Sequence, residues 1–145
     1  MILPPRTPAA LTALGAAPFV IGAIGAYTDT VLTLFPYGSV ESVIHYGVII
    51  LSFMTGILWG FASKAPDGKA SYAYITSVLP ALYVFFFVVG TDADKIEALM
   101  FGFFFLLAID LSFQKAKLAP LWWMTLRIPV TVVVLAALYL TRISI

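Results

Sequence analysis

Cysteine is absent from the chain, and histidine occurs once, at His45. The first absence excludes disulfides, thiol catalysis, iron–sulfur clusters and thiolate zinc sites. The second excludes a bis-histidine haem or a multi-histidine metal site within one chain. Charge is nearly as scarce: Lys, Arg, Asp and Glu make up 10% of the 145 residues, where a soluble domain carries about 25%. The net charge of +1 comes from scattered basic residues, so there is no basic field for nucleic acid. With so few polar side chains, a water-facing surface cannot be covered.

What the chain does have is apolar length. Hydrophobic residues account for 62% of it, the mean hydropathy is +1.05, and the solvent that suits this composition is a bilayer. A spanning helix needs roughly 20 mostly apolar residues. Breaking the sequence at charges and turn residues predicts an all-α integral membrane protein, one domain over residues 1–145, with five spans near 8–28, 42–62, 71–89, 94–113 and 120–140. Thr7 is placed to cap the first span, and Pro8 and Pro120 suit the first turns of the first and fifth. The apolar run after Arg6 is too long for the core of a secretory signal, so it reads as a helix that is kept.

Lysines and arginines in short loops favour the cytoplasmic side. With the N-terminus inside, that side collects Arg6, Lys64, Lys69, Lys115 and Lys117, against Lys95 and Arg142 outside. The expected topology is therefore N-inside and C-outside. The acids Asp29, Glu41, Asp92, Asp94 and Glu97 fall outside. Tryptophan and tyrosine prefer the membrane interfaces, and Trp59, Trp122 and Trp123 fall at inner span ends as expected anchors. Tyr72 and Tyr74 share their level, while Tyr27, Tyr37, Tyr46 and Tyr139 fall at outer ends.

Few residues are candidates for function. Ser52, Gly56 and Gly60 form a small-residue stripe on the second span, and Gly22 and Ala26 form one on the first. In lipid, small residues let helix backbones approach closely, so both stripes are expected to pack inside the monomer, with an intersubunit interface as the sharper reading. Pro18, Pro80 and Pro129 each interrupt a span and free a backbone carbonyl. Only Ser77 accompanies Pro80 in sequence, and nothing polar accompanies Pro18.

An arginine inside a span needs a partner. Arg127 lies two turns into the fifth span and Asp110 one turn from the inner end of the fourth. At 1.5 Å per residue their depths differ by roughly 6 Å, within reach of a snorkelling arginine, which predicts a structural ion pair tying the last hairpin. Glu41 and His45, one helical turn apart, form a candidate titrating pair. The acids at Asp92, Asp94 and Glu97 complement a helix N-terminus. No lysine lies in mid-membrane to carry a retinal Schiff base. No catalytic residue, cofactor or metal is expected.

Several segments together resemble a known family. They are Arg6-Thr7-Pro8 with Leu14-Gly15-Ala16-Ala17-Pro18-Phe19, then Tyr46 through Phe53 with Gly56 and Trp59-Gly60, then Ser77-Val78-Leu79-Pro80, and finally Asp110 with Leu126-Arg127 and Thr131. The family is one of small, uncharacterised multi-span membrane proteins of proteobacteria, with a mitochondrial relative named transmembrane protein 69. The resemblance implies a bacterial inner-membrane protein and brings no catalytic residues to carry over.

Three functions are left. The leading expectation is a non-catalytic accessory subunit or assembly factor of a larger respiratory or photosynthetic membrane complex, whose partners are lipid and other membrane-protein subunits. The alternative is a small oligomeric transporter or proton-linked channel, motivated by the broken helices and the Asp110–Arg127 pair. A membrane enzyme comes third, because one histidine and dispersed carboxylates supply no convergent set.

Overall fold

Apolar stretches of this length leave each backbone group only its own helix as a partner in lipid, and helices are what form. The computed structural model describes residues 2–28 and 35–145. Among these residues there are no strands, and five helices are long and apolar enough to cross a membrane: α1 (Arg6–Gly25), α2 (Ser39–Ala62), α3 (Asp67–Phe87), α4 (Asp92–Lys115) and α5 (Trp123–Ile143). Asp29 lies outside the described residues.

The helix ends correct the sequence reading in several places. Thr7 is not a cap, because α1 begins at Arg6 behind Pro5 and has no side-chain cap. The fixed φ of Pro5 leaves its carbonyl free to start the ladder, and it accepts from Ala9 N–H at 3.1 Å. Pro120 does not open the fifth helix, which starts three residues later. Gln114 supplies the reason: its Oε1 accepts the N–H of Met124 at 2.9 Å while its Nε2 donates to the Leu121 carbonyl at 3.2 Å. A side chain from the end of α4 thus caps α5.

The intervening turn closes α4 with Lys117 in the left-handed region at φ 61°. Lys117 N–H bonds the Gln114 carbonyl and Leu118 N–H the Phe113 carbonyl, the paired bonds of a Schellman ending. Between α3 and α4, Gly90 takes φ +99°. There Thr91 and Asp94 form a capping box, with Thr91 N–H donating to Asp94 Oδ2 at 2.9 Å.

α1, α2, α4 and α5 close a ring in which each helix packs on two neighbours, and α3 lies outside it against α2 and α4. Leu51, Leu58, Ile96, Leu99, Phe103 and Leu106 fill the centre, all buried. Phe53, Phe85, Phe86, Phe101, Phe104 and Phe105 point outward, an arrangement suited to lipid and costly in water.

Three glycines set the close approaches. A Cβ built at Gly22 would run into the Val43 side chain. At Gly47 it would meet Leu99 Cδ1 at 2.8 Å, and at Gly102 it would meet Leu51 at 2.8 Å and the Tyr83 ring at 3.0 Å. Tyrosines supply the crossing bonds: Tyr46 donates to the Gly15 carbonyl at 2.8 Å, Tyr83 to Ala98 at 2.8 Å and Tyr27 to Leu140 at 2.7 Å. Tyr46 is therefore an interhelical bridge beside the Pro18 break. At the second break, Ala81 N–H finds Thr55 Oγ1 of α2 at 3.1 Å, so a neighbouring helix completes the backbone around Pro80.

The stripe Ser52, Gly56 and Gly60 does not pack inside the monomer. All three are exposed, and nothing lies within 4 Å of a Cβ built at either glycine. In lipid both faces of a helix are apolar, so sequence does not mark which small stripe is the inner one. Gly22 faces α2, while Ala26 is the half-buried residue that ends α1. Gly22→Ala is expected to destabilise the bundle by about 1–3 kcal/mol through overpacking against a β-branched neighbour. Gly56→Ala is expected to leave the melting temperature unchanged or raised. Thermal unfolding of both variants in one mild detergent checks the contrast.

Candidate functional site

Antiparallel α4 and α5, joined by the Gln114-stapled turn, bring three residues into one buried cluster. Asp110 is fully buried, and Arg127 donates from Nε to its Oδ2 at 2.7 Å. The second carboxylate oxygen, Oδ1, accepts from the indole N–H of Trp123 at 2.8 Å. Trp123 is one turn before Arg127 on α5, so both face α4 together. Each carboxylate oxygen thus has a charged or polar donor, which is what a buried carboxylate requires.

The role of Trp123 is a correction. Expected as an interface anchor, it is 7% exposed and bonded inside the bundle. Trp122 is half-buried against it, with ring centroids 6.0 Å apart. Trp59 is 50% exposed on α2 and packs on Tyr74 at 4.6 Å. Adjacent tryptophans share a depth but differ by about 100° around the helix, and depth alone gave no sign of which one turns inward.

A cavity of about 370 Å³ adjoins the cluster, between the N-terminal half of α1, the C-terminal half of α2 and the first turns of α5. Phe19, Ile50, Phe53, Phe103, Trp123 and Leu126 form much of its wall, and Arg127 and Thr131 are its buried polar residues. Neither Arg127 Nη2 nor the Thr131 hydroxyl has a hydrogen-bond partner. By contrast, Thr141 on the same helix donates back to Ala137 at 2.9 Å.

The other candidates stay apart from this cluster. Glu41 and His45 are both exposed. No hydrogen bond or ion pair joins them; His45 stacks on Tyr37 with centroids 5.0 Å apart, and the expected titrating pair is not assembled. Glu97 pairs with Arg142 of α5 at 2.7 Å, Asp92 with Lys95 at 3.4 Å, and Asp94 caps its own helix. The acids near the start of α4 are therefore engaged in pairing or capping away from the cluster. Sequence reasoning found Asp110 and Arg127 but missed the parts played by Trp123 and Gln114.

Five apolar helices fastened by a buried charged hairpin define the class: a multi-span helical membrane protein. The chain belongs to the family described as "Protein of unknown function (DUF3429)", whose model matches residues 4–143. No curated protein matches the chain, and no solved structure matches it.

Asp110→Asn leaves the Arg127 charge buried without its counter-charge and is expected to cost about 3–5 kcal/mol. Trp123→Phe removes one bond to a carboxylate, about 1.5–3 kcal/mol. Glu97→Gln, at an exposed pair, is expected to cost at most about 1 kcal/mol. Thermal or denaturant unfolding in detergent micelles checks the order; equal effects at Asp110 and Glu97 would deny the buried pair its structural role.

Proposed function

We propose that this protein is a non-catalytic membrane subunit, an accessory or assembly factor of a larger membrane complex, which binds a transmembrane helix of another protein along α2. The observation that carries the reading is the outward stripe Ser52, Gly56 and Gly60, with open space over both glycines. A foreign helix can approach the backbone closely there, and close packing is a main source of helix affinity in lipid. Phe53 and Trp59, both exposed, flank the stripe and offer aromatic contact to the same partner. The connections that follow α2, α3 and α4 are short, which leaves helix faces as the main described surface for work.

The distribution of Arg6, Lys64, Lys69, Lys115 and Lys117 against Lys95 and Arg142 supports a cytoplasmic N-terminus and an external C-terminus. The resemblance to bacterial inner-membrane proteins and to mitochondrial transmembrane protein 69 supports an energy-transducing membrane and a respiratory or photosynthetic complex as the partner.

A competing reading, a small oligomeric transporter or proton-linked channel, draws on the buried Asp110 beside a cavity. In that case Asp110→Asn abolishes flux in liposomes while the bundle still assembles.

Extraction of the native membrane in mild detergent, followed by native gel separation and mass spectrometry of the band, tests the leading reading. Expected is migration with stoichiometric subunits of a larger complex, and release from it by Gly56→Leu with Gly60→Leu, a variant with room to fold normally as a monomer. Migration of the unaltered chain alone, or only with copies of itself, would overturn it.

A further inference from the structure

The accessory role concerns the outer face of α2, whereas the start of α4 and the end of α5 carry a separate feature. A groove of about 590 Å³ lies there, with Glu97, Phe101, Phe104, Leu135, Tyr139 and Arg142 in its wall. The two helices are antiparallel, so Glu97 and Arg142 stand together at one end. Phe104 and Leu135 lie further along each helix, roughly 10 Å deeper. Phe101, Phe104 and Tyr139 are exposed on membrane-crossing helices, so the apolar length of the groove opens to lipid.

The charged end is within reach of a ligand. Arg142 donates from Nε to Glu97 Oε1 at 2.7 Å, and the two side chains remain 35% and 52% exposed. Among the described residues this bond engages one atom of each group. A guanidinium has further donors at its Nη nitrogens, and a carboxylate has a second oxygen. We infer that the groove binds a phospholipid of the phosphatidylethanolamine class. Its phosphate accepts hydrogen bonds from the Nη nitrogens of Arg142, its ammonium donates to Glu97 Oε2, and an acyl chain lies along Phe101, Phe104 and Leu135. An isolated exposed ion pair contributes little, but four alternating charges make a network.

Depth and charge select the headgroup. α4 has 24 residues, roughly 36 Å of helix, so its first turns pass beyond a hydrocarbon core of about 30 Å to headgroup level. Asp92, Asp94 and Glu97 at the start of α4 outnumber Lys95 and Arg142. An anionic headgroup therefore meets a net negative end and is disfavoured. A choline headgroup is zwitterionic, but its quaternary nitrogen has no N–H to offer Glu97. The ethanolamine headgroup supplies both the compensating charge and the donor.

Native mass spectrometry of the full chain, released from nanodiscs, tests this. The discs contain equal parts of phosphatidylethanolamine, phosphatidylcholine and phosphatidylglycerol with identical acyl chains. Expected is one retained phosphatidylethanolamine per chain, roughly three- to tenfold in excess of either other lipid. Glu97→Gln is expected to bring phosphatidylethanolamine down to the level of phosphatidylcholine, and Arg142→Gln to lower retention of all three. Asp92→Asn, which removes a carboxylate from the same end but outside the groove wall, is expected to leave the excess unchanged. Equal retention of the three lipids by the unaltered chain, or an excess of phosphatidylglycerol, would overturn the proposal. So would an ethanolamine excess that survives Glu97→Gln or is lost equally in Asp92→Asn. None of these results bears on partner binding at Gly56 and Gly60.

Discussion

One buried contact organises this bundle. Asp110 has no route to water, and its two oxygens are held by Arg127 and Trp123, both from the helix that follows it. In lipid there is no hydrophobic drive to press helices together, so orientation must come from packing shape and polar bonds. The triad fixes the rotation and the relative depth of α4 and α5 at once. The Gln114 staple works at the same end, closing the turn and supplying the cap that α5 lacks. With that hairpin set, α1 can lean on α5 and on α2, where Gly22 makes room for Val43, and the ring closes.

Away from the triad, the polar bonds between helices are mostly made by tyrosine. Tyr46, Tyr83 and Tyr27 each donate to a backbone carbonyl of another helix, and Thr55 receives the N–H next to Pro80. These bonds cost little, because a hydroxyl needs only one partner to be tolerated in an apolar setting. They also bear on how α1 and α3 carry internal prolines without leaving the bundle loose. The proline at position 80 is served by a neighbouring helix, and the one at position 18 lies beside a tyrosine bridge.

The number and approximate extent of the helices were legible in the sequence because a bilayer imposes a length, and an apolar run either meets it or does not. The buried pair was legible for the same reason, since an arginine inside a span has few ways to be satisfied. Rotation about the helix axis was not legible. Gly47 and Gly102 pack inward while Gly56 and Gly60 face outward, yet all four sit in equally apolar surroundings along the chain. Trp123 went unread for a related reason, as its depth suits an interface anchor and only its azimuth carries it to Asp110. Contacts reaching across the fold, such as Gln114 to Met124 or Thr55 to Ala81, leave no local pattern that periodicity could reveal.

The claim that one ion pair sets the geometry of the bundle is tested most directly by a double-mutant cycle on that pair: Asp110→Leu, Arg127→Met and the two combined, with unfolding free energies measured in the same detergent. Each single change leaves a buried group without its counterpart, whereas the double change leaves an apolar contact. The expected result is two strongly destabilised single variants and a double variant far less impaired than their sum, with a coupling energy of roughly 1–3 kcal/mol. Additive effects would contradict the account, because they would mean that Asp110 and Arg127 stabilise the fold independently of each other.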